Sequence, residues 1–301
     1  MLDDVLRAGE KRLSAAGIDS ARNDTEVLVA HALDVERSAL TTLTILGSRL
    51  DVAQVLRVND LLDRRVAREP LQHIVGRAGF RRIELAVGPG VFVPRPETEL
   101  VAALAIDELH RALADSDTGE VMAVDLCSGS GALALAIATE VPQARVHAVE
   151  LSDDAVLWLQ RNVDELGLRE TVTVHHDDAG HAPVGLDGMV DVVVCNPPYI
   201  PDGASIRDQE AAIHDPGLAL WGGPDGLDVV RSVIGHAESL LRTGGLLVIE
   251  HADVQGEALP LLIGARGDAN DRPWTDIEDH LDLNDLPRFT SARRAASVAV
   301  R

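Results

Sequence analysis

From about residue 94 onward, short apolar runs alternate with segments of helical period, and this alternation restricts the chain more than any other feature. Residues 121–126, 145–149, 171–175, 190–195 and 245–250 read as strands, with two weaker strands near 274–280 and 296–300. Residues 132–140, 153–166, 228–241 and 254–263 read as helices, and 268–273 as a turn-rich surface loop. Apolar runs such as 190–195 suit strands buried on both faces. Strands separated by helices imply a parallel sheet covered on both sides. In such a sheet, ligands collect at the carboxyl ends of the strands. The chain has 301 residues and 46% hydrophobic content, but only three Trp, one Tyr and three Phe. The core must therefore be built from Ala, Val and Leu.

Residues 1–69 are expected to form a helical domain. Leu2, Val5, Leu6 and Leu13 share one face at helical spacing. Val27, Leu28 and His31 follow a capping-type Asn23-Asp24, and Val52, Val55, Leu56, Leu62 and Val66 form a third stripe. His31 reads as a packed or half-exposed histidine rather than a ligand. Pro70 ends the region, and the period changes over 70–93. There, β-type residues punctuated by Gly76, Gly79, Gly88 and Gly90 suggest a hairpin linker ahead of a domain spanning 94–301. No internal repeat or low-complexity tract is evident.

The chemistry concentrates at the expected strand ends. Asp125-Leu-Cys127-Ser128-Gly129-Ser130-Gly131 joins the first strand to its helix, and the two glycines permit a tight turn and close approach to a ligand. Glu150 ends the next strand, where a carboxylate can hold two ribose hydroxyls. The dinucleotide pattern G-x-G-x-x-G is not met and no phosphate-binding Lys follows. The loop therefore suits S-adenosylmethionine, which has an amino acid, a ribose and an adenine but no phosphate. Asp125 would lie near the sulfonium or the methionine amine, and Asp178 and Ala179 near the adenine.

Asn196-Pro197-Pro198-Tyr199 follows the strand at 190–195. This tetrapeptide suits a planar, amide-like nitrogen that must be held for methylation. The Asn196 carbonyl can accept one N–H and the Pro197 backbone carbonyl another. The prolines stiffen the loop, and Tyr199 offers a stacking face. The structural alternative is a turn with a capping Asn. Taken with the loop, Glu150 and Asp178, the functional reading is the stronger.

Charge narrows the acceptor. The net charge is −22, and Lys11 is the sole Lys among 27 cations. A protein that grips phosphates carries a basic face, and no obvious basic block stands out here beyond Arg64-Arg65, Arg81-Arg82 and Arg293-Arg294. Nucleic acid is disfavoured as a direct substrate. The amphipathic, charged start is no apolar signal core, and no run approaches membrane-spanning length. Cys127 and Cys195 form neither a disulfide framework nor a metal site. A monomer in a reducing, cytoplasmic compartment is expected. The two thiols end strands that would be neighbours, and they read as small buried groups rather than a redox pair.

Several further segments carry a resemblance. Pro70-Leu71-Gln72-His73-Ile74-Val75-Gly76, Pro94-Arg95-Pro96-Glu97-Thr98-Glu99, the 125–131 loop and Asn196–Tyr199 with Ile200-Pro201 are the most specific. Asp215–Leu220, Gly222–Asp228 and Glu250-His251 add to it. In these the chain resembles the HemK family of protein-glutamine N5-methyltransferases over about residues 20–293. The resemblance implies a seven-stranded, Rossmann-like class I methyltransferase domain with a small N-terminal helical domain and a β-hairpin linker. It implies that the acceptor is the Gln of the Gly-Gly-Gln motif of peptide chain release factors. It assigns Asn196 and Pro197 to the Gln amide, Tyr199 to packing on it, and residues 127–131, Glu150 and Ala179 to the cofactor. Three positions depart from the family: Cys127 stands where Gly is frequent, Ala179 where an aromatic can cover adenine, and Ala252-Asp253 where a Gly follows His251.

Other roles are weighed against bland ones. Arg95, Glu97 and Glu99 serve equally well as an ion-paired helix start around Pro96. His73 and His251 are not needed as bases, because the proton can leave after the C–N bond forms. An adenine N6-methyltransferase also fits the tetrapeptide, since an exocyclic amine on a flipped base is chemically similar. A non-catalytic cofactor-binding scaffold is the third reading, disfavoured by the intact tetrapeptide and loop.

Overall fold

The computed structural model describes residues 1–206, 208–267 and 272–296. The chain divides into two compact units. The first comprises residues 1–77 together with 206–214, and the second the remainder.

The first unit begins with α1 (Leu2–Ala15), α2 (Ala21–Leu33), α3 (Ala39–Ile45), α4 (Val52–Val66) and α5 (Leu71–Val75). Helix α4 is opened by a reciprocal capping box between Asp51 and Gln54. Its buried face differs from the stripe expected from sequence. Val52 and Leu56 are 77% and 64% exposed, whereas Val58, Leu61, Leu62 and Arg65 are buried. The i, i+3, i+4, i+7 row that faces the core ends on a charged residue, so a purely apolar search misplaces it. On α2, Leu28 is buried but His31 is exposed, and the buried face includes Asp24 and Thr25.

Arg65 and Asp24 explain each other. Arg65 Nε donates to Asp24 Oδ2 at 2.8 Å, and its Nη2 lies 2.7 Å from Glu210 Oε1 in the returning segment. Arg65→Ala should destabilise this unit by about 3–5 kcal/mol, because Asp24 is left buried without its counter-ion. Arg65→Leu combined with Asp24→Leu should recover most of that loss. Urea denaturation of the three proteins checks both statements.

The second unit begins within the hairpin β1 (Arg77–Phe80) and β2 (Ile83–Ala86), at Ala78, and continues with α6 (Thr98–Ala114), β3 (Val121–Leu126), α7 (Ala132–Glu140) and β4 (Ala144–Glu150). Next come α8 (Asp153–Glu165), β5 (Val172–His176) and β6 (Val190–Cys195). Helix α9 (Gln209–His214) belongs to the first unit. The remaining elements are α10 (Gly217–Leu220), α11 (Asp228–Leu240), β7 (Leu241–Glu250), a 3₁₀ turn at Asp253–Gln255, α12 (Ala258–Gly264), β8 (Trp274–Leu281) and β9 (Pro287–Arg294).

Among the described residues seven strands form one sheet in the order β5-β4-β3-β6-β7-β9-β8. The first five are parallel, while β9 runs antiparallel to both β7 and β8. One face is covered by α6, α7, α8 and the hairpin, the other by α11 and α12. Both layers are built mainly from Ala, Val, Leu and Ile, as the scarcity of aromatics required. Helix α7 is buried from Ala132 through Ala138, and its alanines allow close approach to α6 and the sheet. Burying Leu135 and Ile137 there contributes about 1.5–3 kcal/mol each.

The last described strand lies earlier in the chain than the one expected from sequence. The apolar stretch at 296–300 suggested a strand, but 297–301 lie outside the described residues and the pairing strand is Pro287–Arg294. That segment looks too polar for a strand flanked on both sides. Its polar groups are matched inside the sheet instead. Thr290 Oγ1 lies 3.1 Å from His251 Nε2, Ser291 Oγ 2.8 Å from His280 Nε2, and Arg293 makes two 2.8 Å bonds to Glu108 of α6. The expected loop at 268–273 also falls largely outside the described residues.

Candidate active site

Strand register brings the marked residues to one edge. Leu126 of β3 pairs with Val149 of β4 and with Cys195 of β6, and Cys195 pairs with Ile249 of β7. Cys127, Glu150, Asn196 and Glu250 are therefore the next residues on four adjacent strands, all at the carboxyl edge.

The 125–131 loop is held from below. Asp125 is 1% exposed, and its Oδ2 accepts the Ala134 N–H at 3.1 Å, satisfying an otherwise unpaired amide in the first turn of α7. Ser128 donates its N–H to Val149 O and its hydroxyl to Asp125 O. Ser130 O accepts Asn162 Nδ2 at 2.9 Å. Asn162 also brackets Ala86, donating to its carbonyl and accepting its N–H, so α8 ties the loop to β2. Nothing in the sequence marked Asn162, because a lone polar residue in an amphipathic helix normally faces solvent.

Backbone conformation explains the glycines and one departure. Gly131 has φ 93°, and a Cβ there would lie 2.6 Å from Leu159 Cδ1. Gly129 has φ 56°, and a Cβ there would meet nothing within 4 Å, so this turn opens onto free space. Cys127 adopts φ 69° although it carries a side chain, a conformation that costs about 1–2 kcal/mol. The first turn is thus strained at Cys127. The Cys127 and Cys195 thiols are neighbours at the strand ends. Burial, Cys127 and the nearby carboxylates push the Cys195 thiol well up, which keeps it protonated and a poor nucleophile.

Three features suit a ligand with a ribose and a cationic amino-acid end. Glu150 accepts the Gly129 N–H through Oε2 at 2.7 Å and the Ser152 N–H through Oε1 at 2.8 Å. Two of its roughly four lone-pair sites remain for hydroxyls. Asp125 Oδ1 is buried without a protein partner. Burial, reinforced by Glu150, raises the Asp125 carboxyl to about 7 against hydrogen bonds from Ser128 and Ala134. A neighbouring cation would draw it back to the carboxylate. Gly129 supplies the open cradle. Asp178 Oδ1 accepts the Gly180 N–H at 2.7 Å, a local turn that leaves Ala179 half-buried against the β6–α11 layer.

The tetrapeptide is braced from two sides. Asn196 Nδ2 donates to Oγ1 of Thr98, the buried first residue of α6, at 3.3 Å. Tyr199 O accepts Gln255 Nε2, and Ile200 pairs with the 220–222 segment through two 2.9 Å backbone bonds. A Cβ at Gly222 would strike Pro198 O, and one at Gly226 would strike Tyr199 O. The Gly222–Asp228 segment is thus the rear wall of Pro198 and Tyr199. Glu250 lies near Thr98 and Tyr199. Burial raises its carboxyl to about 7, and Glu97 adds to this, while Thr98, Arg288 and Tyr199 oppose it. Burial and Glu250 push the Tyr199 phenol well up, so it stays a neutral donor.

The remaining motif residues find structural partners. Arg95 reaches Asp215 at 3.1 Å and lies 5.0 Å from the centre of the Phe92 ring, linking two of the motif segments. Glu99 accepts the Arg81 N–H. His251 is buried, with Nδ1 2.9 Å from Ala252 O and Nε2 2.9 Å from Asp279 Oδ1. It therefore locks β7 to the β8–β9 pair. His73 lies on α5 in the first unit.

This fold and this edge define an S-adenosylmethionine-dependent class I methyltransferase. Residues 4–76 match the PrmC N-terminal domain family and residues 85–214 the Methyltransferase small domain family. A release factor glutamine methyltransferase of Streptomyces coelicolor is 49% identical over 98% of both chains, and one of Mycolicibacterium smegmatis is 40% identical over 97% of both. A 4-amino-L-phenylalanine/4-methylamino-L-phenylalanine methyltransferase of Streptomyces pristinaespiralis is 41% identical over 94% of this chain and 92% of its own. The chain belongs to the release factor glutamine methyltransferase family.

Proposed function

We propose that this protein methylates the side-chain nitrogen of the Gln in the Gly-Gly-Gln motif of peptide chain release factors. The observation that carries the reading is the Asn196–Thr98 hydrogen bond. It occupies the amide's donor end and leaves Oδ1 as the end that accepts from an incoming carboxamide. The Pro197 carbonyl is the second acceptor, and Tyr199 packs beside the plane.

S-adenosylmethionine supplies an electrophilic methyl group on a sulfonium. Residues 127–131, Glu150, Asp178 and Ala179 would hold it, with Asp125 facing its charged end. The acceptor nitrogen is a poor nucleophile because its lone pair is delocalised. Asn196 and Pro197 orient it, and positioning of this kind is worth up to ~7–11 kcal/mol when geometry is right. As positive charge develops on the nitrogen, its N–H bonds to these two acceptors strengthen, which favours the transition state over the ground state.

The helical unit is the proposed platform for the release factor, and the protein acts as a cytoplasmic monomer. Among the described residues no helix is long and apolar enough to cross a membrane. Mass spectrometry of recombinant release factor incubated with this protein and S-adenosylmethionine tests the reading. It should show one added methyl group on the Gly-Gly-Gln peptide and none when Gln is replaced by Ala. A second reading rests on the arylamine-methylating relative. Methyl transfer to 4-amino-L-phenylalanine but not to release factor would favour it. The adenine reading keeps only the shared tetrapeptide, and labelling of nucleic acid in the same assay would revive it.

A further inference from the structure

An Asn amide is nearly symmetric in shape, yet only one of its two orientations serves the proposed site. With Oδ1 toward the acceptor, Asn196 receives an N–H. Turned by half a rotation, it presents its own N–H₂ to another N–H₂, and both donors lose a partner. Something buried must choose between the two.

Two elements supply the choice. Asn196 and Glu250 follow the paired residues Cys195 and Ile249, so they stand side by side at the ends of β6 and β7. Thr98 of α6 accepts from Asn196 Nδ2 at 3.3 Å and lies near Glu250, where it favours the carboxylate. Glu250 is 1% exposed, and its Oε2 has no protein partner. We infer that Thr98 and Glu250 form a positioning relay that sets which end of the Asn196 amide faces the acceptor. This inference rests on the acceptor reading above.

The hydrogen-bond logic is directional. An ionised Glu250 only accepts, so the single Thr98 hydrogen points at it. The Thr98 oxygen is then left to accept, and only the Asn196 N–H₂ end satisfies it. A neutral Glu250 can donate to Thr98 instead. The Thr98 hydrogen then turns toward Asn196 and selects the opposite amide orientation. Four titratable groups from neighbouring elements face Glu250. Arg288 of β9, itself 2.9 Å from Asp282, favours the carboxylate. Glu97, before α6, opposes it. Tyr199, on the loop after β6, favours the carboxylate, and the neutral Cys195 thiol lies at the end of β6. Their balance with burial places the switch near neutrality. Because the carboxylate is the productive form, activity rises with pH through that range.

The test is the pH profile of kcat and KM for methyl transfer to release factor, with S-adenosylmethionine binding measured separately by calorimetry. Wild type should gain kcat through about pH 7. Thr98→Ser should retain both the rate and the profile. Thr98→Val and Glu250→Gln should each lower kcat about 10–100-fold, the range typical of residues that orient a contacting group. They should flatten the rise and leave S-adenosylmethionine affinity within about twofold of wild type. A Thr98→Val protein with wild-type kcat, or a Glu250→Gln protein that keeps the wild-type rise, would overturn the relay while the acceptor reading stands. If Thr98→Val fails to bind S-adenosylmethionine, the Glu250→Gln profile decides. A wild-type protein inactive on release factor would overturn the acceptor reading and the relay together.

Discussion

Asn196→Ala should reduce turnover on release factor by about 10²–10³, the loss seen when one oriented group that stabilises developing charge is removed. The side chain is half-buried at a strand tip, touches Thr98 and forms no part of either core layer. Its truncation should therefore leave the fold and S-adenosylmethionine affinity intact. The loss should fall on kcat more than on KM, because the interaction strengthens as the nitrogen becomes positive. Asn196→Asp is the more stringent variant. It keeps shape and acceptor atoms but sets a second carboxyl next to Glu250, and two neighbouring carboxyls in a buried site share a proton. The Asp variant should be nearly as inactive as Ala. Single-turnover methylation followed by mass spectrometry separates these outcomes, and near-wild-type rates for Asn196→Ala would dismiss the proposed mechanism.

Gly131→Ala should abolish measurable S-adenosylmethionine binding and lower stability by several kcal/mol. Two effects add. The residue holds φ 93°, which costs an L-residue about 1–2 kcal/mol. The new methyl would also lie 2.6 Å from Leu159 Cδ1 and 2.8 Å from Leu135 Cδ1, and overpacking of this kind costs about 1–3 kcal/mol. Both leucines are fully buried, so neither can step aside. Gly129→Ala provides the contrast. It shares the strained φ but meets no neighbour, so it should lose affinity with a much smaller loss of stability. Calorimetric titration and thermal melts of the pair distinguish steric collapse from lost ligand approach.

The sheet and its ligand edge were legible because apolar runs alternated with helical segments, and the marked residues sat at the ends of those runs. Asp125, Glu150 and Asn196 fall where that logic put them. What escaped was carried by polar residues with buried partners. Arg65 completes the inner face of α4, Asn162 anchors the 125–131 loop and Thr290 helps build an interior strand. Each looks like a surface residue until its partner is known, and those partners lie 41, 76 and 39 residues away. The pairing of Asn196 with Thr98 across 98 residues was invisible for the same reason. Periodicity reports burial of apolar groups; it carries no information about which distant polar group will meet another.

Strand β9 sits between β7 and β8 although it follows both in the chain. A ribosome-bound intermediate that has released everything through β8 still carries an open, hydrogen-bond-hungry margin along β7. Closure awaits residues 287–294, whose Arg293 must also find Glu108 on a helix made far earlier. Nascent chains of this protein should therefore pass through an aggregation-prone interval late in synthesis, when chaperone engagement would be most intense.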